Sequence, residues 1–328
     1  MTKQTKLLIL LLLLQQTTLQ HSQVSKINSS IVTYNMCRCR FGSRIIAYVK
    51  TKWLAYKYNI PFFYQPFEYS DQLMLTKLEK KYDKDIEQYF NQVIYLEENP
   101  VNIDREAKNV YVGDYYTDTT IDFTDKQFMK EIKKNITPIK PINKPSIPAD
   151  RISVAVHIRR GGGFDAPVSF DKETHPKNYV DFDYPGKFLT DEYYITQINS
   201  LYTMLQENPL HVHIFTDDKH PSRFIETYKK ALQTKDITFS TRKSGSFTTN
   251  VIDDFFSMAL YDCFIMPDSG FSWCVKQLLG TFFVVISHTD NKVRVEINQD
   301  NFHRVEKHLG TIKNIHIETF NKNFGKIS

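Results

Sequence analysis

The stretch VAVHIRRGGG, from Val154 to Gly163, decides the fold predicted for this chain of 328 residues. Its apolar, β-branched first half is typical of a buried strand. Two arginines and three glycines follow where that strand would end. Ligands of open α/β sheets bind outside the carboxyl ends of the strands, and the arginine fork matches phosphate oxygens. We therefore predict a diphosphate-binding corner at Arg159 and Arg160, although surface ion pairs and a simple turn would give the same pattern.

Strands and helices alternate along the chain beyond this stretch. Strands are predicted at 153–158, 211–215, 237–240, 263–266 and 282–286, the last of these being the final strand. Helices are predicted at 189–206, 221–233, 252–260 and 272–279. Repeated units of this length indicate an α/β domain with a parallel sheet and helices on both faces.

The N-terminal half has a weaker pattern. Apolar residues recur at the helical period from 45 to 56, a strand follows at 60–64, and helices are predicted at 82–93 and 128–135. Four prolines between 135 and 148 exclude a regular helix and predict a linker. The chain is therefore divided into a segment 1–24, a domain 30–145, a domain 151–310 and a tail 311–328 that the pattern leaves unassigned.

Composition narrows the functional classes. The net charge of +5 is small for this length, and no dense basic stripe of the kind that binds nucleic acid is present. Residues 1–24 combine a basic start with an apolar run from Leu7 to Leu14, which is typical of a secretory signal peptide and too short to span a membrane. A disordered tail with a chance leucine run is the alternative. Cys263 and Cys274 fall in apolar segments and are predicted to be buried.

A second polar segment, from Pro267 to Trp273, links a predicted strand to a predicted helix. Ser269 and Ser272 are natural helix-capping residues. Backbone N–H groups at a helix start, flanked by hydroxyls, bind anions readily, so a diphosphate could be held here and by the arginines together. Simple capping needs no ligand and stays open.

A third segment ends in Thr216-Asp217-Asp218. Two acids at a strand end can bind a divalent metal, a ribose or the donor edge of a base, or can cap the next helix. Since no third ligand set is evident, we favour a nucleoside contact or a cap and predict no metal.

Other enzyme classes fit less well. Gly161, Gly163 and Ala166 have the spacing of a dinucleotide-binding turn, with Asp181 at a suitable distance. That turn must open a helix, however, and the segment after Ala166 is not helical in pattern. No Walker motif and no serine-hydrolase elbow occur.

Taken in order, these segments resemble the fucosyltransferase superfamily, closest to its α-1,2-fucosyltransferase-like group. The resemblance is carried by VHIRRG at 156–161, HIFTDD at 213–218 and the run from 253 to SGFSW at 269–273. A weaker likeness lies at 40–45, where the family has a glycine-containing loop. The resemblance implies a GT-B-like fold with two Rossmann-like domains, the first on the acceptor side and the second binding the nucleotide sugar.

The resemblance also implies roles for individual residues. Arg159, His157 and Asp165 are the expected catalytic residues, with Asp165 as the candidate base. The expected donor-binding residues are Arg159, Arg160, Gly161, Asp217, Asp218, Ser269, Phe271 and Ser272. The N-terminal loop contributes Gly42 and Arg44.

The function expected from the resemblance is an inverting transfer of fucose from GDP-fucose to a glycan or glycoconjugate hydroxyl, with no cofactor and no metal. The chain departs from the family at Gly162, where the motif has Asp, at Gly270 and at Cys274, so a catalytically inactive nucleotide- or glycan-binding protein is the alternative. With a functional signal peptide, the expected location is the secretory pathway, in the ER or Golgi lumen; without one it is the cytoplasm.

Overall fold

The computed structural model describes residues 28–35, 40–96, 102–160, 188–218, 220–242, 251–289 and 292–306. The chain is mixed α/β, with parallel sheets and helices. It forms two compact units: Met1–Arg38 with Ser43–Ile139, and Cys39–Gly42 with Lys140–Ser328. Within the described ranges, no helix is long and apolar enough to cross a membrane.

The first unit is built on a small parallel sheet of order β1-β5-β4, beside a two-stranded pair β2-β3. The strands are β1 (Ile31–Tyr34), β2 (Phe63–Tyr64), β3 (Lys80–Lys81), β4 (Val93–Tyr95) and β5 (Val110–Gly113). The helices are α1 (Phe41–Tyr58), whose first two residues belong to the second unit, α2 (Leu75–Leu78) and α3 (Lys126–Asn135). Aromatic side chains fill much of its interior; for example, the Trp53 and Phe128 rings meet edge to face at 4.9 Å.

The predicted helix at 82–93 is wrong. Asp83 instead accepts a hydrogen bond from the backbone of Asp85 and starts a short 3-10 helix, Lys84–Tyr89. Val93 and Ile94 then pair with β5 as a strand. β-branched residues favour a strand when a partner strand is available, so tertiary pairing prevailed over the local pattern. The predicted helix at 128–135 is confirmed within α3.

The second unit contains a six-stranded sheet of order β11-β10-β9-β6-β7-β8. Its strands are β6 (Ile152–Ile158), β7 (Leu210–Thr216), β8 (Ile237–Thr241), β9 (Cys263–Met266), β10 (Val284–Thr289) and β11 (Lys292–Ile297). Its helices are α4 (Asp191–Met204), α5 (Ser222–Ala231), α6 (Val251–Met258), α7 (Gly270–Cys274), which continues into a π-helical turn at Val275–Leu279, and α8 (His303–Glu306). The five strands and four helices predicted for this part of the chain are all present, with ends shifted by a few residues.

One strand of this sheet was missed. β11 pairs antiparallel with β10, so the sheet is not wholly parallel and the segment at 282–286 does not hold the final strand. Along β11, exposed and partly buried residues alternate, which is the pattern of a strand covered on one face only. The sequence KVRVEI shows that alternation.

The two faces of the sheet differ in chemistry. Val154, Val156 and Ile158 of β6 join one apolar core with buried residues of α4 and α5. Residues between them face the other way, where the carboxylate of Asp262 accepts bonds from the N–H and hydroxyl of Ser153. Cys263 and Cys274 are buried free thiols, as predicted from their apolar segments.

The apolar core supplies a matched stability test on α4. Ile198 is fully buried, whereas Ile195 is only partly buried against the same core. We expect Ile198→Ala to lower the free energy of unfolding by about 2–5 kcal/mol, because it removes buried methylenes and leaves a cavity. Ile195→Ala should cost clearly less. Urea denaturation followed by circular dichroism measures both, and equal losses would contradict the packing of α4.

Candidate functional site

The strand order of the second unit reverses at β6. From β6 the chain continues through β7 and β8 on one side, and then returns to place β9 and β10 on the other. In α/β sheets the crevice at such a switch point, at the carboxyl ends of the strands, is where ligands bind. His157 and Arg159 lie at the end of β6, and the segment from 267 to α7 follows β9. Two of the predicted motifs therefore meet at this point, which we call the switch-point site.

A buried hydrogen bond crosses the switch-point site. His157 Nδ1 bonds the hydroxyl of Ser272 on α7, and both side chains are buried. The imidazole also lies against the ring of Phe271, with 5.5 Å between ring centres. Ser269 occupies the N-cap position of α7, but its side chain makes no capping bond. Neither serine side chain is therefore seen to cap α7. Ser269 makes no capping bond, and the Ser272 hydroxyl is hydrogen-bonded to His157.

Electrostatics keep His157 neutral. Burial is the main cause that lowers its pKa to about 3, opposed by the nearby Asp217 and reinforced by Arg159 and Arg40. A neutral imidazole bonded through Nδ1 can offer only its Nε2 to a ligand. It is therefore suited to hydrogen bonding and not to charge neutralisation.

The two adjacent arginines have different surroundings. Arg159 is partly exposed, and its guanidinium stacks on the Phe188 ring at 5.4 Å. The side chain of Arg160 is only 3% exposed; it donates to the carbonyl of Leu189 at 2.5 Å and pairs with Asp191 at 2.7 Å. Arg160 thus holds the start of α4. Its diphosphate-binding role stays a prediction, and Arg159 has the more open position for that role.

Asp217 links two parts of the switch-point site. One of its carboxylate oxygens accepts the backbone N–H of Arg160 at 2.6 Å, and the other accepts Nη1 of Arg40 at 2.9 Å. The Asp217 side chain is 8% exposed and that of Arg40 is 29% exposed, so this ion pair is partly buried. Asp217 therefore fixes the backbone after β6 and brings a third arginine to the site. The sequence pattern did not predict this role of Arg40, although the segment 40–45 carries part of the family resemblance.

Asp218 is engaged nearby. Its carboxylate accepts the backbone N–H of His220 at 2.7 Å and pairs with Arg223 at 2.6 Å, just ahead of α5. The N-cap of α5 is Pro221 and has no side-chain capping bond, so the alternative in which Asp218 caps this helix is wrong. No group of three or more potential metal ligands occurs among the residues that the structure describes.

Gly42 packs directly against the backbone of α7. A Cβ built on Gly42 would lie 2.4 Å from the nitrogen of Phe271 and 2.6 Å from its Cα. The adjacent Phe41 ring meets the ring of Phe255 at 5.3 Å, and the Cys274 thiol donates to the Gly42 carbonyl. Only glycine permits this approach. The predicted N-terminal loop is wrong at this point, because Gly42 and Arg44 both lie in the first turn of α1.

Three other predicted residues are not among the described residues of the second unit. Arg44 belongs to the first unit, where it pairs with Glu68 at 3.2 Å. Gly161 and Asp165 lie outside the described residues. The structure thus brings together His157, Arg159, Asp217, Ser269, Phe271, Ser272 and Gly42, with Arg40 as the addition.

No protein-family profile matches this chain, and no curated protein sequence matches it. Among solved structures, the chain is similar to a mutant of FUT1 from Arabidopsis thaliana in complex with GDP. The two share 10% sequence identity at a TM-score of 0.49, over 82% of this chain and 73% of that chain. A similarity this distant assigns neither a family nor a ligand to this chain.

The Gly42 contact gives a steric prediction. Gly42→Ala should destabilise the protein by about 1–3 kcal/mol, because the new methyl group meets backbone atoms of α7 that cannot rotate away. Ser43→Ala, at the next position of α1, is the control and should have little effect. Thermal unfolding of both variants tests this, and an unchanged melting temperature for Gly42→Ala would rule out the close approach.

Burial of His157 gives a pH prediction. The unfolded chain binds a proton on this residue near pH 6.5, whereas the folded chain does so only near pH 3. Between these values the unfolded state binds more protons, so stability falls as the pH falls. His157 should account for a loss of about 2 kcal/mol between pH 7.5 and pH 5. Guanidinium denaturation at both pH values should show a smaller loss for His157→Gln than for the wild type; an identical loss would mean that His157 titrates normally.

Proposed function

We propose that this chain is an inverting glycosyltransferase that moves fucose from GDP-fucose to a hydroxyl of a glycan or glycoconjugate. One observation carries the proposal: segments that resemble the fucosyltransferase motifs, distant in sequence, converge on the switch point of an α/β sheet. His157 and Arg159 come from the first motif, Asp217 from the second, and Ser272 from the third. Since ligands of such sheets bind at the switch point, the motif residues occupy the position that a nucleotide sugar requires.

Arg159 and Arg40 are the groups we assign to the donor diphosphate. When the bond between fucose and the diphosphate breaks, negative charge develops on the leaving phosphate. Fixed cations placed beside that charge lower the barrier, and guanidinium groups bind two phosphate oxygens at once. Arg40 is already held by Asp217 at 2.9 Å, so its position is set before a ligand arrives. We propose that these arginines take the part that a metal ion takes in other transferases, so that no metal is needed.

His157 is assigned a positioning part. Its Nδ1 is engaged by Ser272, which fixes the ring and leaves Nε2 to hydrogen-bond the donor. With a pKa of about 3, it adds no charge to the diphosphate site at neutral pH. An inverting reaction also needs a base that takes the proton of the acceptor hydroxyl. Asp165 stays the proposed base on the strength of the resemblance alone.

The alternative function is a protein that binds the nucleotide sugar or a glycan without turnover. Gly162, which replaces the Asp of the family motif, favours it. The transferase and a nucleotide-binding protein both predict binding of GDP, and only the transferase predicts release of GDP from GDP-fucose when an acceptor is present. For the active enzyme we propose the ER or Golgi lumen, where a chain with a functional signal segment would meet its donor.

Donor binding can be tested by calorimetric titration of the full chain with GDP, UDP, NAD and GDP-fucose. We expect selective binding of the guanine nucleotides. Arg159→Ala should lower the affinity for GDP roughly 10- to 100-fold, because a charge-assisted hydrogen bond is lost. Arg159→Lys should lose less, since it keeps the charge.

The matched control is Arg294→Ala, which removes an exposed arginine of β11 and should leave GDP binding unchanged. Equal affinity of wild type and Arg159→Ala for GDP would remove Arg159 from the donor site. Absence of binding to every nucleotide would refute the transferase, leave the motifs as structural turns and favour the non-enzymatic alternative.

A further inference from the structure

A second group of polar side chains lies along β7 and β8. His211 faces Thr238 and His213 faces Ser240 in the register of the two strands, so the four side chains share one face of the sheet. His211 and His213 are buried, Ser240 is partly exposed and Thr238 is exposed. β8 is the edge strand of this sheet in the described residues, and the group is therefore within reach of solvent.

Hydrogen bonds connect these side chains in a fixed direction. The carbonyl oxygen of Leu210 can only accept, so the Thr238 hydroxyl donates its proton to it, at 3.3 Å. The oxygen of Thr238 then accepts Nδ1–H of His211, at 2.9 Å. His211 is thereby the tautomer whose Nε2 carries no proton. That nitrogen accepts the hydroxyl proton of Ser240, at 2.8 Å.

His213 completes the arrangement. The Ser240 proton points to His211, so the Ser240 oxygen accepts Nδ1–H of His213, at 2.8 Å. Burial lowers the pKa of His211, and it lowers the pKa of His213 to about 3, so both rings are neutral at pH 7 as this assignment requires. The Ser240 oxygen therefore has one donated proton, one accepted proton and one remaining lone pair.

This arrangement is that of an activated hydroxyl. A nucleophilic serine needs a base within hydrogen-bonding distance and a third group that orients the base. Ser240, His211 and Thr238 meet these requirements in that order. No glycine-flanked serine elbow surrounds Ser240. Arrangements of a nucleophile, a base and an orienting group are recognised by their geometry and not by their sequence position.

The far edge of β8, with which no strand of the described residues pairs, offers a further element. Leu210 N–H donates to the carbonyl of Asp236, which directs the backbone of residues 236, 238 and 240 towards β7. By the alternation of a parallel ladder, the N–H groups of Phe239 and Thr241 face away from β7. Thr241 directly follows Ser240, and a backbone N–H beside the nucleophile is the kind of donor that stabilises an acyl oxyanion.

We propose that Ser240 is a nucleophile that accepts an acyl group from small activated esters, with His211 as its base. The Ser240 oxygen forms a bond to the ester carbonyl carbon, and the bond from that carbon to the alkoxy or aryloxy group breaks. The serine proton passes to Nε2 of His211 and then to the departing oxygen. The product is an O-acyl serine and a free alcohol or phenol. This activity is independent of the nucleotide-sugar chemistry proposed above.

The experiment uses p-nitrophenyl acetate and the full chain. We expect a burst of p-nitrophenol approaching one equivalent, and peptide mass spectrometry should locate the acetyl group on Ser240. Ser240→Ala should abolish the burst. His211→Gln should slow it by about 10²-fold or more, the usual contribution of a general base. Ser222→Ala, which removes an exposed serine at the start of α5, is the matched control and should keep the full burst.

A second test compares the folded wild-type protein with the same protein unfolded in urea. It uses no variant, so misfolding of a variant cannot affect the result. If the arrangement activates Ser240, unfolding must remove the burst and the acetyl label at this position. An unmodified Ser240 in the folded wild type, or equal labelling in the folded and unfolded chain, would overturn the proposal and leave a structural polar ladder. GDP titration of Ser240→Ala keeps the two proposals separate, because its affinity for GDP should equal that of the wild type.

Discussion

The pairing of β6 on both of its edges is the constraint on which the second unit depends. β6 pairs with β7 through seven register positions and with β9 through three, and each of its seven residues is buried. A strand in this position must satisfy its backbone groups within the sheet and place apolar side chains on at least one face. Its carboxyl end is thereby fixed between two neighbouring strands, and His157 and Arg159 are fixed with it. The site is a consequence of where this strand lies.

The second layer of organisation is a set of polar contacts between buried and partly buried side chains. Asp217 joins the backbone after β6 to Arg40, Asp191 holds Arg160, and Ser272 holds His157. A buried polar group is costly unless it has a partner, so each contact restricts its side chain to one geometry. Each of these side chains is therefore held in a defined position by a partner within the protein.

The two faces of the six-stranded sheet have separate tasks. One face, with Val154 and Val156, is packed against α4 and α5 and supplies the apolar core. The other carries His157, the Ser153–Asp262 contact and the histidines of β7. Because side chains alternate along a strand, a single strand such as β6 can serve both. Polar side chains on this face thus occur both at the switch-point site and along β7 and β8.

The sequence predicted the α/β class, five of the six strands and four of the helices described in the second unit, and the pair of arginines after β6, since these follow from local apolar periods and from residues adjacent in the chain. It predicted Arg159 and Arg160 as equals, and it gave Asp217 and Asp218 a common role. Only the tertiary structure separated Arg159 from Arg160, because burial and the contact with Asp191 depend on where α4 packs. The Arg40–Asp217 ion pair joins residues 177 positions apart, and the His157–Ser272 bond spans 115 positions. A local sequence pattern cannot predict contacts between residues so far apart in the chain. These contacts form because parallel strands bring their carboxyl ends to one edge of the sheet.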